Sequence, residues 1–203
     1  MRRRVQSQPS REFGFSGTSV FLVGFMGAGK TSIGRILAQH LNWAFEDLDE
    51  RIERREHSTV ADLFRDAGES AFRRAEHAAL QDVLGELLAG AVKVVALGGG
   101  AFVQRENADL LRASGVPTVF LDAPVDELWQ RCCKQASEVG AERPLLRSIE
   151  QFRKLYLERR KSYLRAPLRV DTASRACDEI ASEIAEKLCL KKIEIFAQEG
   201  EVE

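Results

Sequence analysis

The sequence predicts an α/β fold in which a central parallel β-sheet lies between two layers of helices. Strand-like and helix-like segments alternate along the chain, which is the pattern of successive βα units. The first strand-like segment, residues 18–23, is apolar without alternation, as expected for a strand buried on both faces. A glycine-rich loop follows, and then a segment with apolar residues at helical spacing. Together these observations indicate one three-layer sandwich.

The chain of 203 residues carries nearly equal numbers of opposite charges, 30 Lys and Arg against 31 Asp and Glu. This balance argues against a nucleic-acid-binding protein with a general basic surface. No apolar run approaches the ~20 residues of a membrane helix, so we expect a soluble protein. The four cysteines, at positions 132, 133, 177 and 189, form no Cys-x-x-Cys pair, which predicts reduced thiols in a cytoplasmic protein.

The first half of the chain reads as two strands and three helices. After the first strand, residues 31–41 form a helix and a short second strand ends at residues 46–49. Thr59 and Asp62 have the spacing of a capping box that opens a short helix, which stops at Gly68. A longer helix over residues 69–88 follows, with apolar residues along one side.

The second half continues the alternation. Its predicted elements are strands over residues 92–97, 116–121 and 168–170, and helices from 124 through 129, over 149–164 and over 177–188. One domain is expected over residues 18–190, with a polar, mobile lid at about 137–147. We expect residues 1–17 to form a disordered tail, with a remnant of a targeting sequence as the alternative. Residues 191–203 are expected to form a charged tail.

Residues 24–31, with the sequence GFMGAGKT, fit the phosphate-loop motif G-x-x-x-x-G-K-[ST] at every position. The glycines allow several backbone N–H groups to point at one phosphate, and the following helix adds its positive end. Lys30 is expected to reach the β- and γ-phosphates, and the Thr31 hydroxyl to ligate Mg²⁺. A glycine-rich turn with a chance lysine is the alternative, but the strand before and the helix after favour nucleotide binding.

Two carboxylates follow the second predicted strand. Asp47 and Asp49 flank one residue, so strand geometry predicts that both point to the same side. The carboxyl ends of parallel strands form the ligand crevice of an open α/β sheet. One aspartate can accept the proton of an acceptor hydroxyl while the other supports Mg²⁺. The alternative is that Asp49 caps a helix beginning at residue 50.

Arg73 and Arg74 lie on the third predicted helix, and neighbouring helix positions point about 100° apart. Only one of them should therefore face the crevice, and Glu76 has the spacing to hold Arg73. Three glycines at positions 98–100 end a buried strand, where backbone without Cβ atoms can approach a ligand closely. A hairpin turn is the alternative, but the segment after the glycines reads as helical.

From about residue 18 to about residue 188 the chain resembles the shikimate kinase family. The resemblance rests on residues 24–31, Asp47-Leu48-Asp49, Glu69 with Phe72, Arg73 and Glu76, Gly98-Gly99-Gly100, residues 143–146 (RPLL), and Arg159 with Tyr163. It implies a P-loop kinase of the nucleoside-monophosphate-kinase type with a mobile lid. Such an enzyme phosphorylates the 3-hydroxyl of shikimate with ATP and Mg²⁺, a step of aromatic amino-acid biosynthesis.

The same resemblance implies roles for individual residues. Catalysis falls to Lys30, Asp49 and the lid residue Arg143. Nucleotide binding is implied for Gly27, Ala28, Gly29, Lys30, Thr31, Ser32, Arg143 and Arg175. Shikimate binding is implied for Asp49, Arg73, Gly98, Gly99, Gly100 and Arg159. Thr31 and, through water, Asp47 would hold the metal.

Several alternatives remain open from the sequence. Arg160 competes with Arg159 for the substrate carboxylate. The acceptor could be another small hydroxy acid such as gluconate, or a nucleoside monophosphate, and a non-catalytic nucleotide-binding regulator is the rival from another class. We expect ATP and shikimate as partners of a monomeric protein, without nucleic acid or membrane.

Overall fold

The apolar segment Ser19–Val23 forms the central strand of a parallel sheet in the computed structural model, which describes residues 19–139 and 148–193. All five of its residues are buried, as the absence of alternation predicts. Within the described ranges the sheet has five strands: β1 (Ser19–Val23), β2 (Ala44–Asp47), β3 (Lys93–Ala96), β4 (Thr118–Asp122) and β5 (Leu168–Asp171).

The strands lie in the order β2-β3-β1-β4-β5 and every neighbouring pair is parallel. Leu22 of β1 is in register with Ala96 of β3, which in turn is in register with Asp47 of β2. The carboxyl ends of these three strands therefore stop at the same level. The loops that follow them begin side by side at one edge of the sheet, where open α/β sheets bind ligands.

Helices connect the strands, as the predicted alternation requires. They are α1 (Lys30–Leu41), α2 (Leu48–Glu56), α3 (Val60–Asp66), α4 (Gly68–Leu88), α5 (Arg105–Ser114), α6 (Val125–Val139), α7 (Ile149–Tyr163) and α8 (Cys177–Lys187). A 3₁₀ turn, Ala101–Val103, precedes α5. Helix α1 packs against α8, α4 packs against α2 and α3, and α6 packs against α7. The predicted three-layer α/β fold is confirmed.

Helix α1 shows how the local pattern produces the packing. Ile33, Leu37 and Leu41 are buried at the spacing of one helical face. Gly34 lies on the same face, and a Cβ atom there would come within 2.6 Å of the Phe45 ring. The missing side chain therefore allows α1 to pack closely against β2, which fixes the position of the loop before α1.

Strand β2 and helix α6 differ from their predicted boundaries, and β4 begins at Thr118 rather than at residue 116. Strand β2 ends at Asp47, two residues before the predicted end, because the Asp47 side chain caps helix α2. Helix α6 continues past Trp129 to Val139, into the segment predicted as a polar loop. Val125 and Trp129 pack against the core beside the buried Leu128 and Cys132, at the spacing of one helical face, so the apolar pattern of the sequence already extends past Trp129.

The short helix α3 begins where the sequence predicts, because the Thr59 side chain accepts a hydrogen bond from the N–H of Asp62. Gly68, the predicted stop, has a positive φ of 81° at the junction of α3 and α4. At the other end of the described chain, the Ile193 N–H donates to the Leu41 carbonyl, 2.9 Å away.

The predicted tail over residues 1–17 and most of the predicted tail over residues 191–203 lie outside the described residues. Residues 140–147 of the predicted lid, including Arg143, lie outside them too. No helix in the described ranges is both long enough and apolar enough to cross a membrane.

Candidate active site

A cleft of about 730 Å³ opens at the carboxyl edge of the sheet. The loops after β1, β2 and β3 form its floor, and side chains from α4, α6, α7 and α8 form its walls. The cleft brings together every predicted site residue that the structure describes: Gly27, Ala28, Gly29, Lys30, Thr31, Ser32, Asp47, Asp49, Arg73, Gly98, Gly99, Gly100, Arg159 and Arg175.

The phosphate loop occupies one end of the cleft. Gly27 and Gly29 adopt φ angles of 79° and 89°, a region that residues with a side chain rarely enter. Gly29 is the N-cap of α1 and offers no side chain to the first N–H groups of that helix. These donors and the positive end of the helix dipole therefore form an anion-binding site of the kind that holds nucleotide phosphates.

Lys30 extends across this loop. Its Nζ atom donates hydrogen bonds to the carbonyl oxygens of Gly24 and Phe25, at 2.9 and 3.2 Å. Desolvation by burial lowers the pKa of Lys30 below its ordinary value, while the charges of Asp49 and Asp47 act in the opposite direction. The ammonium group thus lies between the loop and two carboxylates.

Asp47 and Asp49 both line the cleft, but not through strand geometry. Asp47 ends β2, and Asp49 stands in the first turn of α2. The Thr31 hydroxyl donates to Asp47 Oδ2, 2.8 Å away. The Asp49 Oδ1 atom is buried and has no hydrogen-bond partner in the described part of the chain. Burial, and then the charge of Asp47, raise the pKa of Asp49 to about 6, against the effect of Lys30.

Arg73 lines the same cleft. Its Nη1 atom donates to Glu76 Oε2 at 2.8 Å, and Glu69 accepts a second hydrogen bond at 3.2 Å. The guanidinium carbon lies 5.8 Å from the ring centroid of Phe64 and 5.2 Å from that of Phe72. These four neighbours fix the direction in which Arg73 points.

The neighbouring arginine does not share this environment. Arg74 is exposed and lies outside the cleft, as the angle between adjacent helix positions predicts. The pair Arg159 and Arg160 divides in the same way. Arg159 lines the cleft, with its guanidinium carbon 5.9 Å from the Phe25 ring centroid. Arg160 points away and donates to Asp122 Oδ2 at 2.7 Å.

The glycine triplet lies beside Asp49 and Arg73. A Cβ atom at Gly98 would overlap the Asp49 carboxylate, and one at Gly100 would come within 2.6 Å of Arg73 Nη2. The hydroxyl group of Tyr163 donates to the Gly99 carbonyl oxygen. Only glycine leaves room for both functional side chains, and the backbone between them is exposed to the cleft.

A comparison with known proteins decides the family. The family model for shikimate kinase matches residues 26–189 of this chain. The chain belongs to the shikimate kinase family. Members of this family are kinases, so the phosphate loop and the cleft belong to a phosphotransferase.

Individual shikimate kinases are similar over most of their length. The enzyme from Thermus thermophilus is 40% identical over 174 residues, which cover 84% of this chain and 90% of that protein. The enzyme from Persephonella marina is 34% identical over 167 residues, 82% of this chain and 96% of that protein. A solved shikimate kinase from Acinetobacter baumannii, in complex with shikimate, is 32% identical with a TM-score of 0.73. The match covers 86% of this chain and 94% of that one.

A gluconokinase from Sinorhizobium meliloti shares the fold at a TM-score of 0.53. It is only 23% identical, although the match covers 85% of this chain and 92% of the other. This similarity shows the architecture alone, because proteins with many different activities share one fold.

The shikimate kinase fold also brings residues into the cleft to which the sequence motifs gave no role. They are chiefly on the helix α6 side and include Arg131, Lys134, Gln135 and Thr172. Arg131 donates to the Thr172 carbonyl at 2.6 Å and to the Gly27 carbonyl at 3.3 Å. The pair Glu127 and Arg131, four residues apart on α6, was the available sequence signal. Their convergence on the loop after β5 requires tertiary structure.

The described residues contain no group of three or more His, Cys, Asp or Glu side chains arranged to hold a metal ion. The oxygen donors beside the phosphate loop are instead the Thr31 hydroxyl and the carboxylates of Asp47 and Asp49. Such a small set of oxygen ligands suits Mg²⁺, which keeps several waters and binds substrate phosphates as well.

Proposed function

We propose that this protein transfers the γ-phosphoryl group of ATP to the 3-hydroxyl of shikimate, which gives shikimate 3-phosphate and ADP. The observation that carries this proposal is the set of residues that line the cleft at the carboxyl edge of the sheet. The phosphate-binding loop, the Asp49 carboxylate and the guanidinium groups of Arg73 and Arg159 all line this one cleft. Phosphoryl transfer requires these positions, since catalysis consists mainly of positioning and charge stabilisation.

The acceptor end of the cleft suits a small hydroxy acid. Arg73 and Arg159 supply two guanidinium groups for one carboxylate, with the planar geometry that such pairing requires. The Asp49 carboxylate and the backbone of residues 98–100 supply partners for ring hydroxyls. The shikimate bound to the related Acinetobacter baumannii enzyme supports shikimate over gluconate as the acceptor.

Asp49 is proposed as the proton acceptor. Its buried Oδ1 lacks a partner in the described chain, and its pKa of about 6 keeps it ionised at neutral pH. The 3-hydroxyl would give its proton to this carboxylate while its oxygen forms the bond to the γ-phosphorus. The bond from that phosphorus to the β,γ-bridging oxygen breaks, and ADP leaves with the electron pair. Lys30 lies close enough to Asp49 and the loop to balance the charge on the phosphates.

Thr31 and Asp47 are proposed to hold Mg²⁺, Asp47 through water. The hydrogen bond that joins them, 2.8 Å long, places a hydroxyl and a carboxylate beside the phosphate loop. When bound, the ion would neutralise charge on the β- and γ-phosphates. The remaining nucleotide contacts proposed here are Ser32, Arg175 and the lid residue Arg143. Arg143 lies outside the described residues, so its role rests on the family resemblance.

The chain itself supplies the described cleft, which supports a monomer as the functional unit. All four cysteines lie in the described ranges and none forms a disulfide, which supports a reducing compartment such as the cytoplasm. A nucleotide-binding regulator without catalytic activity would be expected to lack one of the groups that take part in the reaction. Lys30 and Asp49 are both present and line the cleft, which favours an enzyme.

A coupled assay of ADP release tests the proposal. The protein is supplied with ATP and Mg²⁺ and, in separate reactions, with shikimate, gluconate or a nucleoside monophosphate. Of the three acceptors, we expect only shikimate to support turnover. Phosphorus NMR of the product should show a phosphate ester at the 3-position. Equal turnover with gluconate, or none with any acceptor, would contradict the proposed function.

A further inference from the structure

We propose that Asp122 is a positioning residue for the substrate site, which acts through Arg160 on helix α7 to direct Arg159 into the cleft. The inference rests on the proposed role of Arg159 in binding the substrate carboxylate. Asp122 itself does not line the cleft. It is the last residue of β4, and its side chain is only 4% exposed.

Asp122 joins three side chains at this buried point. Its Oδ2 accepts hydrogen bonds or ion pairs from Arg160 Nη2 at 2.7 Å and from Arg169 Nη2 at 3.0 Å. Its Oδ1 accepts from the Tyr156 hydroxyl at 3.2 Å. A buried carboxylate needs such compensation, because an unpaired charge in the interior is costly.

Two of these partners belong to the same face of α7. Tyr156 and Arg160 are four residues apart, so both point toward Asp122. Arg159 is rotated by about 100° from Arg160, which turns it toward the cleft. One turn further, Tyr163 donates to the Gly99 carbonyl in the glycine triplet. Two contacts therefore hold α7 on either side of Arg159: the contact of Arg160 with Asp122 at the end of β4, and the contact of Tyr163 with the glycine triplet.

The anchors fix the rotation of α7 about its own axis. A rotation of about 20° moves a side-chain tip, roughly 6 Å from the helix axis, by about 2 Å. A displacement of this size breaks a bidentate contact to a carboxylate and lowers the rate of an oriented reaction. The ion pair between Asp122 and Arg160 also keeps the second guanidinium away from the site. Asp122 thus determines which arginine of the adjacent pair the substrate contacts.

The test is a double-mutant cycle on the full chain, read by calorimetric titration of shikimate and, separately, of ADP. Arg160→Gln should weaken shikimate binding five- to tenfold and leave ADP binding unchanged. In the Arg159→Ala background the same change should have no further effect, because Arg160 acts only through Arg159. Tyr156→Phe, which removes the other anchor from α7 to Asp122, should weaken shikimate binding in the same direction.

Arg169→Gln is the matched control, because it removes an ion pair to the same carboxylate from β5 rather than from α7. It should leave shikimate affinity unchanged even if it lowers the melting temperature. Unchanged shikimate affinity in Arg160→Gln would overturn the inference, as would equal weakening by Arg169→Gln or a further loss in the Arg159→Ala background. If the unmodified protein binds no shikimate, the proposed function fails instead.

Discussion

The side chain of Asp47 accepts a hydrogen bond from the backbone N–H of Asp49, 3.1 Å from Oδ1. This contact ends strand β2 and starts helix α2 within two residues. Asp47 Oδ2 meanwhile accepts from Thr31, so that one carboxylate joins the helix cap to the phosphate loop. Asp49 then stands in the first helical turn, beside the loop and the glycine triplet.

The first prediction concerns proton transfer from the substrate. Asp49→Asn keeps the size of the side chain and removes its charge, so turnover with shikimate should fall by roughly 10²- to 10⁴-fold. The affinity for ADP should change little, because the phosphate loop is intact. Steady-state kinetics with Asp66→Asn, an exposed aspartate outside the cleft, is the control. Turnover close to that of the unmodified enzyme would remove Asp49 from the mechanism.

The raised pKa of Asp49 predicts a pH-dependent cost in stability. The pKa of Asp49 is about 6 in the folded state, against an ordinary value of 3.8. Ionisation of Asp49 therefore lowers the free energy of unfolding only above about pH 3.8, where the unfolded chain begins to lose this proton. The penalty grows as the pH rises to about 6 and is then constant. Asp49→Asn should therefore raise the free energy of unfolding, by about 3 kcal/mol at pH 8 and about half as much at pH 5.

Urea unfolding of both proteins without ligands at the two pH values measures this difference. A stability gain that is the same at pH 5 and pH 8 would show that ionisation of Asp49 is not its cause. Asp66→Asn again serves as the control and should have no pH-dependent effect of this size.

The third prediction concerns the carboxylate-binding arginines. Arg73→Ala and Arg159→Ala should each weaken shikimate binding by at least tenfold, since removing one partner of a buried charge pair costs about 2–5 kcal/mol. ADP binding should remain. Arg74→Ala is the matched control, because this exposed neighbour lies outside the cleft. An effect of Arg74→Ala as large as that of Arg73→Ala would contradict the placement of α4.

The fourth prediction uses the contrast between two glycines. Gly100→Ala places a Cβ atom within 2.6 Å of Arg73 Nη2, so it should displace the guanidinium and raise the KM for shikimate at least tenfold. Gly85→Ala, in the interior of α4, meets no atom within 4 Å. It should leave the kinetics unchanged and stabilise the protein by up to about 1 kcal/mol. Unchanged kinetics in Gly100→Ala would show that Arg73 does not depend on this space.

The fifth prediction concerns the magnesium requirement. Thr31→Ala removes the hydroxyl proposed as a ligand and the hydrogen bond that orients Asp47. The concentration of Mg²⁺ at half-maximal turnover should rise about tenfold or more, because a ligand and its support are lost together. Thr59→Ala removes the cap of α3 instead and should cost stability alone, about 1 kcal/mol. A Mg²⁺ dependence unchanged by Thr31→Ala would exclude the hydroxyl as a ligand.

Local features of the sequence are sufficient to predict much of this architecture. The phosphate loop depends on glycines at fixed spacing between a buried strand and an amphipathic helix, and all of these lie within about 25 residues. The cap at Thr59 and the apolar face of α1 are equally local. Helical periodicity also separates Arg73 from Arg74, because the buried Phe72 fixes the face that α4 turns inward.

Tertiary structure decided the features that join distant residues. Whether Arg159 or Arg160 enters the cleft depends on Asp122, which is 38 positions away along the chain. Arg131 reaches Thr172 and Gly27 only after α6 is packed beside the phosphate loop. The sequence determines the periodicity of each element. The rotation of a helix about its axis, and the choice of the charged group that pairs with a buried side chain, depend on residues that only folding brings together.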